Sequence, residues 1–119
     1  LNLRTILEAF REQGASIEAM RVIGGGARGK FWNQLMADIY GIPVRRLAIL
    51  EEATSMGAAL AGGVGVGLYP DFSMIESMNL TAEVYQPDPA SSVIYERLYP
   101  IFKAAYRALT PVFDSLAEM

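Results

Sequence analysis

The stretch Gly24-Gly25-Gly26-Ala27-Arg28-Gly29-Lys30 constrains this chain more than any other. It follows residues 17–23, where Met20, Val22 and Ile23 read as a buried strand, and it leads into a helical pattern over residues 30–40. Glycines between a strand and a helix let the backbone take positive φ and approach a ligand closely. The helix behind them presents unpaired N–H groups and a partial positive charge. An anion such as phosphate is the natural guest. Arg28 and Lys30 stand at the helix start, where acidic side chains are preferred, so their charge is locally unfavourable unless an anion arrives.

Three readings of this stretch compete. Gly24, Gly29 and Lys30 satisfy most of a P-loop, but that loop needs Ser or Thr after the lysine to hold magnesium, and Phe31 stands there. The P-loop is therefore excluded. Gly24, Gly26 and Gly29 also satisfy G-x-G-x-x-G, with Glu51 or Glu52 near the distance at which a dinucleotide fold places its ribose-binding acid. An NAD-binding fragment of an oxidoreductase thus stays open. So does a plain tight turn with solvated basic side chains.

Around the glycines the pattern alternates. Leu3, Ile6, Leu7 and Phe10 recur at helical spacing before Gly14, giving a short amphipathic helix. Phe31, Trp32, Leu35, Met36, Ile39 and Tyr40 form one helical stripe, with Asn33, Gln34 and Asp38 elsewhere; Gly41 and Pro43 end that helix. Residues 44–50 read as a strand. Thr54 or Ser55 is placed to cap a helix over 56–61 that can run on to Val66. Gly57, Ala58, Ala61 and Gly62 give that helix a small face suited to close packing. A short helix over 71–78 and an extended segment over 82–85 follow. Pro87, Asp88 and Pro89 then turn the chain into a long C-terminal helical region, which Pro100 and Pro111 should break into two or three segments. Tyr95, Tyr99 and Tyr106 read as surface of that region. The fold class is α/β, with short strands and helices packed on a sheet.

Composition removes whole classes of chemistry. The chain has 119 residues, 52% of them hydrophobic, which is the size of one compact domain. It has no cysteine and no histidine, so thiol nucleophiles, imidazole bases, disulfides and the usual zinc ligands are excluded. A net charge of -3 argues against nucleic acid as a partner. The longest apolar run, residues 56–69, is too short and too rich in glycine to span a bilayer, so no membrane partner and a cytoplasmic setting are expected. The chain opens on Leu1 inside a helical pattern, and it is expected to be a piece of something longer.

Three ordered blocks carry a family resemblance. Gly24-Gly25-Gly26-Ala27-Arg28 with Phe31-Trp32-Asn33-Gln34-Leu35-Met36-Ala37-Asp38-Ile39 resembles the adenosine-binding motif and helix of the FGGY carbohydrate kinases. Glu51-Glu52-Ala53-Thr54-Ser55-Met56-Gly57-Ala58-Ala59-Leu60-Ala61 resembles that family's later helix. Val84-Tyr85-Gln86-Pro87-Asp88-Pro89, then Tyr95-Glu96-Arg97-Leu98-Tyr99 and Tyr106, resembles the ending of its xylulokinase branch.

The resemblance implies an actin-like, ribonuclease H-like ATPase fold that holds ATP between two large domains. Residues 1–119 would be the C-terminal part of the second. It implies nucleotide contacts at Gly24, Gly25, Gly26 and Ala27, with Arg28, Lys30 and Gln34 as further candidates. Gly29 stands where many relatives have a small polar residue, so only backbone contacts carry over there. ATP or ADP and magnesium are the implied cofactors. The sugar pocket, most magnesium ligands and the proton-accepting aspartate are implied to lie upstream. Asp38, Asp71, Asp88 and Asp114 match no family motif, and no catalytic residue is assigned. A freestanding nucleotide-binding module is the alternative within the same chemistry. Apolar faces left bare by a missing half also make a homo-oligomer an expectation.

Overall fold

The computed structural model describes all 119 residues. Helix α1 (Asn2–Glu12) leads to strand β1 (Met20–Val22), a 3-10 turn (Gly25–Arg28), α2 (Lys30–Tyr40), β2 (Val44–Leu47) and α3 (Ala53–Gly65). A second 3-10 turn (Phe72–Met74) precedes α4 (Ile75–Met78), β3 (Thr81–Tyr85) and α5 (Pro89–Ala117). The three strands form one sheet in the order β1-β2-β3. Strands β1 and β2 are parallel, Met20 facing Val44 and Val22 facing Arg46; β2 and β3 are antiparallel, Val44 facing Tyr85. A parallel pair needs a crossover, and α2 supplies it. The glycine turn therefore sits where β1 hands the chain to that crossover.

The core lies where α1 and α2 cover the sheet: Leu7, Met36, Ala37, Tyr40, Ile42 and Val44, with Met20, Val22 and Tyr85 packed against it. The buried face of α2 keeps only part of the apolar stripe that the sequence suggests: Met36 and Tyr40 are core and Ile39 packs against it. Asn33, Met36, Ala37 and Tyr40 point inward at helical spacing, whereas Phe31 is 80% and Trp32 51% exposed. Asp38 is buried too, and its carboxylate accepts from the Gln34 amide and from the Asp88 N–H, both at 2.8 Å. The bond from Asp88 ties α2 to the start of α5.

Several local expectations shift. Neither Thr54 nor Ser55 caps α3, because the helix already begins at Ala53 with Glu52 at its cap position. The strand expected over 44–50 stops at Leu47, since Asn79 takes the Ile49 N–H and carbonyl with its own amide at 2.9 and 2.8 Å. In α3 the small residue that permits close packing is Gly63, against the Tyr69 ring, while Gly57, Ala58, Ala61 and Gly62 are exposed. Tyr99 is core and not surface, its ring lying 4.5 Å from both the buried Arg4 guanidinium and the Lys103 ammonium.

The C-terminal region is one 29-residue helix that passes through Pro100 and Pro111. Each proline removes a single N–H, and the two stand three turns apart, so intact helix on either side carries the chain past each of them. The Thr110 and Ser115 hydroxyls add bonds back to the Tyr106 and Pro111 carbonyls. No helix of the chain is long and apolar enough to cross a membrane.

Candidate functional site

The glycine stretch folds as a tight 3-10 turn, not an open loop, and three ties hold it. Gly24 opens it at φ 78°, a conformation costly for any residue with a Cβ, and its N–H donates to the Leu50 carbonyl at 2.9 Å. Ala27, buried, donates its N–H back to the Gly24 carbonyl at 3.1 Å. The Ala27 carbonyl in turn accepts the Asn33 side-chain amide at 2.8 Å.

These ties leave the outward donors unspent. The N–H groups of Gly25 and Gly26, and those of Lys30, Phe31 and Trp32 in the first turn of α2, donate to no acceptor in the protein. Four such donors are the rule at a helix start, but here Gly29 caps α2 without a side chain and no acidic residue stands in the first turn. Gly25 and Gly26 are exposed, and a Cβ built on Gly24 or Gly25 would meet nothing within 4 Å. Open space therefore lies beside several unpaired N–H groups, which is what an anion site at a helix start requires.

The basic side chains expected to lack a counter-charge have one within the fold. Arg28 pairs with Glu51, and Lys30 lies 3.6 Å from Glu83; Arg28, Glu51 and Lys30 are exposed and Glu83 half-buried. Glu83 also accepts the Tyr85 hydroxyl and, at 3.2 Å, the Arg46 guanidinium. The Tyr85 bond, then Arg46 and the nearby charge of Lys30, hold its carboxyl below the usual range, so it stays ionised. Exposed pairs of this kind contribute little, about 0–1 kcal/mol, so an incoming polyanion can recruit both cations at small cost. Gln34 is spent differently, its amide donating to Asp38 and to the Gln86 carbonyl at 2.7 Å.

The structure thus gathers Gly24, Gly25, Gly26, Ala27, Arg28 and Lys30 at one end of α2, with Gln34 one turn further along. Asn33 was the residue missed. Its polarity assigns it to solvent, and only its spacing of three and four from Met36 and Ala37 could have placed it inside. Three of the four aspartates left without a role have structural ones: Asp71 caps the second 3-10 turn, Asp88 caps α5, and Asp38 joins α2 to α5; Asp114 is exposed. No group of three acidic side chains is placed to hold a metal ion.

Comparison with known proteins identifies the family and the fold. The family model for the C-terminal domain of the FGGY family of carbohydrate kinases matches residues 1–66. A xylulose kinase of Staphylococcus epidermidis is 34% identical over 102 residues, covering 85% of this chain and 20% of that protein. An autoinducer-2 kinase of Yersinia enterocolitica is 37% identical over 109 residues, covering 86% of this chain and 19% of that one. The chain thus spans about a fifth of the length of these relatives. Among solved structures, the xylulose kinase of Rhodospirillum rubrum superposes with a TM-score of 0.76 at 29% identity, over 95% of this chain and 23% of that one. A ligand-bound xylulose kinase of Lactobacillus acidophilus gives the same TM-score at 24% identity, over 86% and 21%. The fold is that of the sugar kinases, the actin-like, ribonuclease H-like ATPase fold. These matches lend no support to the oxidoreductase reading.

Proposed function

Because this chain belongs to the FGGY family of carbohydrate kinases, we propose that it is the ATP-binding portion of a sugar kinase, its nucleotide seated on the Gly24–Gly26 turn. The observation that carries this reading is the set of unspent N–H groups at Gly25 and Gly26, exposed beside two lightly held cations. Bound ATP supplies the phosphoryl group that a sugar hydroxyl accepts, with magnesium offsetting the charge. The Gly25 and Gly26 N–H groups donate to the nucleotide and fix its position. Ala27 closes the turn beneath it. Arg28 and Lys30 exchange Glu51 and Glu83 for its negative charge. Gln34 reaches the nucleotide only by giving up Asp38 or Gln86.

Residues 1–119 act as the C-terminal part of the second, nucleotide-binding domain. The proton-accepting aspartate, the sugar pocket and most magnesium ligands lie on the upstream part of the parent chain, and the site works in the cytoplasm. D-xylulose is the favoured acceptor, supported by the xylulose kinases among both the sequence relatives and the structural neighbours. The autoinducer-2 kinase at 37% identity supports the competing acceptor.

Two assays test this. The chain alone, given ATP, magnesium and D-xylulose, should release no sugar-dependent ADP; turnover by the chain alone would refute the division of labour. The parent chain that contains this segment should show a higher kcat/KM for D-xylulose than for autoinducer-2, and the opposite ranking would transfer the assignment to the second acceptor.

A further inference from the structure

We propose that Asn33 is a positioning residue for the nucleotide: by holding the Ala27 carbonyl, its side-chain amide sets the direction in which the Gly25 and Gly26 N–H groups point. The inference rests on the Gly24–Gly26 turn being the nucleotide site.

Asn33 is fully buried on the core face of α2, beside Met36, Ala37 and Tyr40, where an apolar side chain would pack without penalty. Its Nδ2 donates to the Ala27 carbonyl at 2.8 Å, while its Oδ1, equally buried, accepts from no donor in the protein. A buried amide with one half unpaired is a poor stabiliser, since the desolvated acceptor offsets what the bond contributes. Its place is explained by what the bond holds.

In an uninterrupted helix the Ala27 carbonyl would accept the Phe31 N–H, four residues on. Asn33 occupies that carbonyl instead. The Phe31 N–H stays free, and the backbone at Gly29 stays extended, at φ -81° and ψ 112°. Without the Asn33 donor, the carbonyl is free to turn towards Phe31. That would extend α2 backwards and move Ala27, whose own N–H, bonded to the Gly24 carbonyl, holds the peptide plane that carries the Gly25 N–H.

The test is N33D, which keeps the shape of the side chain and loses the donor. Near pH 8, Mg-ADP should bind about tenfold more weakly than to the wild type, in proportion to one lost hydrogen bond. The Gly25, Gly26 and Phe31 amide resonances should move before any nucleotide is added. Below the pKa of the introduced carboxyl, its O–H can donate, and the deficit relative to wild type at the same pH should shrink. N33L serves if N33D does not fold, and its deficit should not change with pH. Wild-type affinity in N33D, or a deficit that ignores pH, would overturn the positioning role. Turn resonances that stay in place in N33D would do the same. A wild-type chain that binds no Mg-ADP would instead overturn the nucleotide reading itself, while the amide shifts still report on the Asn33 anchor.

Discussion

At Gly63 a side chain has no room: a Cβ would lie 2.5 Å from the Tyr69 ring. G63A must push that ring aside, and it should destabilise the chain by about 1–3 kcal/mol, read from urea unfolding. The neighbouring change G62A adds a methyl group to open space on the same helix and should not destabilise. This contrast was not legible in the sequence, where Gly57, Gly62 and Gly63 are three similar positions in one run; only the return of the chain at Tyr69 tells them apart. Gly24 was legible, because a glycine run between strand and helix has few conformations to choose from. Arg4 and Asn33 were hidden for the opposite reason. Arg4 is 5% exposed because its guanidinium reaches the Ile39 carbonyl at 3.1 Å and Glu96 at 2.6 Å, partners 35 and 92 residues away. Such partners leave no local signal at Arg4, while Asn33, bonded six residues away at Ala27, shows only the helical spacing that it shares with Met36 and Ala37.

Helix α5 shows how far element-level signals go. Its start was readable in Pro87-Asp88-Pro89: Asp88 caps the helix, its carboxylate accepting from the Ser91 N–H at 2.9 Å and the Ser91 hydroxyl at 2.7 Å. The hydroxyl, then the Ser91 and Ala90 N–H groups, hold the Asp88 carboxyl below the usual carboxylate range. The depressed pKa fixes the sign. The cap contributes in full above the ordinary aspartate pKa of about 3.9, and its contribution is lost as pH falls through the lower folded value. The protection of the Ser91 and Ser92 amides, their exchange relative to an unstructured amide at the same pH, should therefore fall on acidification in the wild type. In D88N, whose uncharged amide can still cap, that protection should not change with pH. An equal fall in both would argue against the cap. The far end of α5 misled for a different reason: prolines at 100 and 111 signal interruption locally, but a helix bears isolated losses when the turns on either side are intact.

For the whole molecule, composition suggested a compact domain, and the structure is less compact than that. Its radius of gyration is 18.1 Å, where a compact chain of this length would have about 13 Å. Only 15 of 119 residues are buried, and Ile101, Leu109, Val112, Phe113 and Leu116 of α5 are all exposed. Faces this apolar associate in water. Sedimentation at rising concentration should show reversible self-association, and a clean monomer at high concentration would contradict it. The α/β alternation and the place of the glycine turn were legible, because strand, turn and crossover are written in contiguous residues. The openness was not, because it depends on which surfaces meet. A nucleotide seated on the turn between β1 and α2 can be observed by titrating the isotope-labelled chain with Mg-ADP, followed amide by amide into the millimolar range. The largest shifts should fall on Gly24, Gly25, Gly26 and Ala27 and on Lys30 to Trp32. Shifts centred elsewhere, or a turn that responds to NAD and not to ADP, would contradict it.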